Sequence, residues 1–272
     1  VRGMRDFLPT EKAKRDAVLS QIKATYHSLG FQEIETPALE DLERLTSGQG
    51  GDNEKLAYRV MRRGAELDAA IEGLAKGGAV DSLADIGLRF DLTVPLTRYY
   101  ATNRAKLPNV LKAIQTGPVW RAERPQKGRY RQFNQCDIDI IGDASELAEI
   151  ELLNASLDAL LAIGLGEAVI RVNHRALLLR LLDNLGVPKD GQLAAMIIID
   201  KLDKINADGV ATELRERFGD QVADKAATWL SSLSQNQVAP AELAGIFAAV
   251  ETRHAGKLRF DPTLVRGMGY YT

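Results

Sequence analysis

Between Trp120 and Gly142 the sequence alternates polar and apolar residues on either side of a short basic segment. Read as two strands, 112–123 and 130–141, the stretch puts Arg121 and Glu123 on one face of the first. On the second, Gln135, Asp137 and Asp139 share a face, with Cys136, Ile138 and Ile140 behind them. The segment 121–131 carries five basic side chains (Arg121, Arg124, Lys127, Arg129, Arg131) against a single acid, Glu123. Such a hairpin suits a polyphosphate or an RNA end, because guanidinium groups make bidentate, charge-assisted hydrogen bonds to phosphate. A solvated surface hairpin would carry the same charges, so composition alone leaves both readings open.

A second alternating stretch, Leu88-Arg-Phe-Asp-Leu-Thr93, sets Arg89, Asp91 and Thr93 opposite Leu88, Phe90 and Leu92. An acid and a hydroxyl side by side suit a substrate ammonium group, although half-buried strands with polar outer faces are common. The C-terminal Leu264-Val-Arg-Gly-Met-Gly-Tyr-Tyr-Thr272 sets an arginine beside two glycines, which allow a ligand to approach the backbone closely. An ordinary strand end would have the same composition.

The elements that must position these residues follow from periodicity. Glu11 to Leu29 has Val18, Leu19, Ile22 and Tyr26 at helical spacing, stopped by Gly30. Residues 31–37 form a strand ended by Pro37, and Gly48 to Gly51 form a loop. Strands at 57–63 and 86–92 flank a polar, Ala/Gly-rich stretch, 64–85, that reads as a candidate flexible insertion. Helices follow over 94–101 and 145–161, then a strand over 167–172. After Asn173, a candidate N-cap, residues 175–251 are helical in pattern, and 258–265 return to strand-like composition. Mixed elements followed by a helical block indicate an α+β fold with an all-α insertion. The expected division is 1–172 and 256–272 for the core and 173–255 for the insertion.

Bulk properties narrow the function classes. The chain of 272 residues is 45% hydrophobic and 26% charged, ordinary for a globular protein. Its longest apolar run, Leu193 to Ile199, is too short to span a bilayer, and the first residues lack an apolar signal region. A cytoplasmic protein with no membrane partner is expected. The single cysteine, Cys136, excludes an intrachain disulfide and a cysteine zinc site, and three scattered histidines give no ligand spacing. Cys136 and His27 read as packing or surface residues. A net charge of −2 argues against a DNA-binding protein but leaves room for RNA contacts at a local basic segment.

Four separated segments together resemble the histidyl-tRNA synthetase family. Arg2-Gly-Met-Arg-Asp-Phe-Leu-Pro9 is similar to its N-terminal signature, and Phe31 to Glu40 to class II motif 1. Arg121 to Phe133 is similar to motif 2 almost letter for letter. Leu264 to Tyr271 resembles the second histidine-specific motif, usually written with Asp where this chain has Gly269. The resemblance covers nearly the whole chain. It implies a mostly antiparallel sheet flanked by helices, and a homodimer formed through motif 1.

The resemblance also implies roles. The family activates histidine with ATP, carried as its Mg2+ complex, and transfers it to the 3′ end of tRNA(His). Arg121 would meet the α-phosphate, Glu123 the adenine amino group, Phe133 the adenine ring and Arg129 the terminal phosphates. Arg266 would be the catalytic arginine that stands where other class II enzymes use a metal ion. Asp91, Thr93 and Gln135 would hold the α-ammonium, and Asp139 and Tyr271 the imidazole nitrogens. Asp91 and Asp139 are Glu in some members. Gln126, Lys127 and Arg131 would face the tRNA acceptor end. Pairing both ring nitrogens rejects amino acids that lack them.

Family members continue past Thr272 with motif 3 and an anticodon-binding domain, so the chain as it stands is expected to aminoacylate little or not at all. The alternative is the non-catalytic relative that serves as a regulatory subunit of ATP phosphoribosyltransferase. Such relatives tend to lose the ATP apparatus, which is present here in Arg121, Glu123, Arg129, Phe133 and Arg266.

Overall fold

A computed structural model of the chain describes residues 1–46, 56–233 and 238–265. The loop expected at Gly48 to Gly51, and Arg266 and Tyr271, lie outside the described residues. Helix α1 (Pro9–Ser28) begins on a proline, whose missing amide costs nothing at the first helical position. Gly30, at φ +87°, turns the chain out of it. The strand expected over 31–37 is cut to three residues, β1 (Gln32–Ile34), and Pro37 separates it from β2 (Leu39–Asp41). After α2 (Leu42–Thr46) and β3 (Tyr58–Met61) comes a correction to the reading of 64–85 as flexible. Residues 65–75 form helix α3 (Ala65–Ala75), followed by a 3₁₀ turn at Val80–Leu83. Alanine, leucine and glutamate dominate α3, and these are strong helix formers. Arg62 ties the far end of the stretch back, donating its amide to Leu83 O at 2.9 Å and Nη1 to Asp85 at 3.2 Å.

β4 (Ala84–Leu88) ends earlier than the alternation in the sequence suggests. Arg89, Phe90, Asp91 and Leu92 are all buried, so no polar outer face exists here. The chain instead bends into α4 (Thr93–Asn103), and the Val94 amide donates to Asp91 Oδ1 at 3.4 Å at the head of that helix. Then come β5 (Leu111–Trp120), β6 (Gln132–Ile141) and α5 (Glu146–Ala162). β1 runs parallel to β5, and β5 pairs antiparallel with β6 over ten residues, from Leu111 opposite Ile141 to Trp120 opposite Gln132. A second sheet, in the order β2-β4-β3, is antiparallel throughout. The architecture is α+β with small sheets, in which antiparallel pairs predominate among the described strands.

Arg89 fastens these pieces together. It is 5% exposed, and Nη1 donates to Thr36 O at 2.8 Å, Thr36 Oγ1 at 3.1 Å and Pro37 O at 3.3 Å, while Nε donates to Pro118 O at 3.0 Å. Its backbone joins Ala38 O on one side and the Trp120 amide on the other, each at 3.0 Å. A methyl group on Gly117 would collide with Arg89 Nη2, so the glycine opens the space the guanidinium fills. Burial pushes the Arg89 pKa down from its ordinary value, with Glu35 acting in the opposite direction.

Two compact units are present. The first comprises Val1–Ala148 and Asp158–Gly164; the second comprises Glu149–Leu157 and the chain from Leu165 onward. In the second, β7 (Ile170–Val172) precedes α6 (Arg175–Leu185), α7 (Gln192–Ile199), α8 (Leu202–Phe218), α9 (Asp220–Ser232) and α10 (Ala241–Glu251). β8 (Leu258–Phe260) then pairs in parallel with β7. The cap of α6 is His174, whose Nδ1 accepts from the Ala176 amide at 3.1 Å, rather than Asn173. Asn173 is occupied elsewhere, its Nδ2 donating to Leu264 O at 3.1 Å. α8 breaks at Asn206, which takes φ +56° and caps the second half by accepting from the Gly209 amide at 3.1 Å. Leu182, Ala195, Ile199, Val210 and Leu214 form the helical core.

Replacing Arg89 by Met should remove about 3 kcal/mol or more of stability in chemical unfolding, because the carbonyls of Thr36, Pro37 and Pro118 lose their donor. Arg89→Lys should recover only a minor part, since an ammonium cannot span acceptors on two sides.

Candidate active site

The candidate site residues whose positions are described all belong to the first unit. β5 stops at Trp120, so Arg121 and Glu123 lie past the strand rather than on its face. The ladder nevertheless continues by one bond, the Arg121 amide donating to Arg131 O at 2.9 Å. Arg121 Nε donates to Phe90 O at 3.0 Å, and the guanidinium lies over the Phe133 ring, 5.1 Å from its centroid. That stacking fixes both groups before any ligand arrives.

The basic segment folds into a tight turn in which Gln126 and Arg129 exchange backbone hydrogen bonds, with Lys127 and Gly128 at its tip. Arg129 and Glu123 form an ion pair across it. Arg131 points away from the tip. Its Nε donates to Glu123 O at 2.8 Å, and its amide to Gly3 O at 2.7 Å, which ties the N-terminal segment to the hairpin. A cleft of about 650 Å³ opens between Arg2, Glu123, Arg124, Pro125, Gln126 and Arg129.

On β6 the register places Gln135 opposite Gly117, Asp137 opposite Gln115 and Asp139 opposite Ala113. Directly paired antiparallel residues share a face, so Gln115 belongs with Gln135, Asp137 and Asp139. The Asp137 carboxyl is pushed up to about 6 by burial, then by Asp139 and Asp91, with Arg121 drawing it down. Asp139 is pushed up to about 6 by burial and by Asp91. The fold therefore gathers Asp91, Arg121, Asp137 and Asp139 within electrostatic reach of one another. Thr93 opens α4 beside them in sequence and is half-buried.

Three participants escape a reading by sequence. Arg89 is not an outward polar residue but a buried tie. Thr36 accepts from both Arg89 Nη1 and Gln115 Nε2. Gln115 is 1% exposed, a polar residue among Leu111, Ala113 and Val119 on the buried face of β5. An amide at that place in an apolar alternation was the signal. Among the described residues no group of three or more His, Cys, Asp or Glu side chains could hold a metal ion.

The family model for histidyl-tRNA synthetase matches residues 3–67 and 79–272. The chain belongs to the histidyl-tRNA synthetase family. It is 49% identical to the histidine--tRNA ligase of Leifsonia xyli subsp. xyli, over all of this chain and 68% of that protein. It thus spans about two thirds of that relative's length. Among solved structures, histidyl-tRNA synthetase from Nostoc sp. PCC 7120 matches with a TM-score of 0.75 at 26% identity, covering 100% of this chain and 62% of that one. A structure from Bacillus halodurans, described as an ATP phosphoribosyltransferase regulatory subunit/histidyl-tRNA synthetase, matches with a TM-score of 0.73 over 99% of this chain and 69% of that one. Its 22% identity speaks for the fold alone.

The raised acids give a pH dependence with a definite sign. A carboxyl whose pKa is higher folded than unfolded binds its proton more tightly in the native state, so it destabilises the fold above about pH 6. That cost fades as the pH falls from about 6 toward the unfolded value near 4. Asp139→Asn should therefore raise the melting temperature at pH 8, by an amount worth on the order of 2 kcal/mol. The gain should shrink toward zero by about pH 4. Melting curves across that range check it.

Proposed function

We propose that this site activates histidine: the amino acid's carboxylate attacks the α-phosphorus of ATP, pyrophosphate leaves, and the histidyl group passes to the 3′ end of tRNA(His). The observation that carries the reading is the hairpin itself. In it Arg121 is stacked on Phe133, and Glu123 and Arg129 face one cleft a few residues from the acid cluster. The family membership supports it.

In this reading Arg121 stabilises negative charge growing on the α-phosphate, where a fixed guanidinium needs no reorganisation. Phe133 offers its ring to adenine, Glu123 accepts from the adenine amino group, and Arg129 turns to the terminal phosphates. Asp91, Thr93 and Gln135 receive the α-ammonium, and Asp139 and Tyr271 the ring. Arg266 is the second arginine at the α-phosphate. Gln126, Lys127 and Arg131 border the path of the tRNA end. ATP brings its own Mg2+. We place the insertion at 173–255 and a homodimer contact along motif 1, in a cytoplasmic protein. No helix among the described residues is long and apolar enough to cross a membrane. An intact set of ATP-contacting side chains favours the enzyme over the regulatory relative.

Histidine-dependent ATP–pyrophosphate exchange tests the proposal on the full-length protein. Exchange should require histidine and fall by roughly 10²–10³-fold in Arg121→Ala, the scale seen when one transition-state donor is removed. Arg266→Ala should fall comparably. Exchange that ignores histidine, or survives both substitutions, would rule the assignment out.

A further inference from the structure

The segment Arg2 to Pro9 has no part in the roles proposed so far, although it is fastened to the hairpin. Arg131 donates its amide to Gly3 O at 2.7 Å and Nη1 to Arg2 O at 3.4 Å. Arg2 and Gly3 form the corner of a turn closed by the Met4 amide, which donates to Val1 O at 3.0 Å. Gly3 supplies the positive φ, +83°, that the third residue of such a turn can require. A methyl group there would stand 3.0 Å from both Arg131 Cγ and Pro125 Cβ, so the glycine also permits the close approach. Further on, the Arg5 guanidinium lies 4.4 Å from the centroid of the Phe7 ring and 5.4 Å from that of Tyr130. Arg15 of α1 lies over Phe7 as well, at 4.1 Å. Stacked cations and rings thus join segment, hairpin and helix.

The two arginines of this strap are used differently. Arg5 is engaged with its rings and lies 3.9 Å from Glu11. Arg2 lines the cleft that Glu123 and Arg129 also line. Among the described residues the Arg2 guanidinium has no hydrogen bond or ion pair. Holding the strap in place does not call on it, since the backbone bonds and the stacking on Phe7 do that. A guanidinium on a fixed backbone loses less freedom when it captures an anion, and its planar fork matches phosphate oxygens.

We propose that Arg2 is a further nucleotide-binding residue, which meets the terminal phosphates of ATP alongside Arg129. This rests on the functional reading above and deepens it, by adding a phosphate contact that comes from outside the hairpin. Arg129 must leave Glu123 before it can serve the phosphates, whereas Arg2 has no such bond to break. The strap thereby makes capture of the polyphosphate depend on a segment more than a hundred residues upstream of the hairpin.

Calorimetry on the full-length protein, with ATP and Mg2+ and separately with AMP, tests this. Arg2 is exposed, so its replacement leaves the fold intact. Arg2→Ala should weaken ATP by roughly tenfold, the scale of one charge-assisted hydrogen bond, and leave AMP unchanged. Arg2→Lys should recover only part of the loss, since an ammonium lacks the planar fork. In histidine-dependent pyrophosphate exchange without tRNA, the KM for ATP should rise by a similar factor and that for histidine should not move. Equal losses for ATP and AMP would mean that Arg2 merely shapes the hairpin, and would overturn the inference. Unchanged ATP binding would overturn it too, and a fall in tRNA charging alone would assign Arg2 to an RNA phosphate instead. All three outcomes leave histidine activation intact. Failure of the unsubstituted protein to bind ATP at all would bring down the functional reading and this inference together.

Discussion

The first unit hangs on one buried cation. Arg89 donates to the carbonyls of Thr36 and Pro37, which end the short β1, and to Pro118 near the end of β5. Sheet pairing alone would leave these segments loosely related, because β1 pairs with β5 over only three residues. A planar guanidinium with five donors in a fixed fork can satisfy carbonyls on two sides at once. Three of the residues around the candidate site are keyed to this tie. Asp91 follows it by two residues, Arg121 follows the Trp120 amide that bonds to its carbonyl, and Gln115 shares its acceptor on Thr36.

Much of this was legible in the sequence, for reasons that can be traced residue by residue. The β5–β6 pair is long, and its period of two is strict over 135–140, so the face carrying Gln135, Asp137 and Asp139 could be read directly. The helices of the second unit were legible because their apolar spacing repeats over many turns. The errors fall where a tertiary contact outweighs local pattern. Arg89-Phe-Asp-Leu92 alternates like a strand but is buried throughout, because Arg89 finds carbonyl partners that lie more than fifty residues back and nearly thirty residues ahead. The stretch 64–85 looked loose because of its glycines, yet α3 forms between them. Asn173 resembled a cap but is drawn to Leu264 O, ninety-one residues away, and His174 takes the capping role.

The acids of β6 show how a site is maintained against stability. Nothing in folding calls for Asp137 and Asp139 on a half-buried face beside Asp91, and both are held above their ordinary range there. Such an arrangement persists where binding uses what folding would discard. The ten-residue β5–β6 ladder holds Asp137 and Asp139 in place opposite Gln115 and Ala113.

The ion pair between Glu123 and Arg129 has a consequence for what can enter. On the proposed reading, these residues serve opposite ends of one nucleotide, and without it they neutralise each other. A molecule that offers only a base must strip Glu123 from its partner and leaves Arg129 unmatched; one that offers only phosphates does the reverse. Neither half recovers what it breaks. A ligand carrying both ends on one frame replaces both contacts together. On that reading the hairpin answers best to a complete nucleotide.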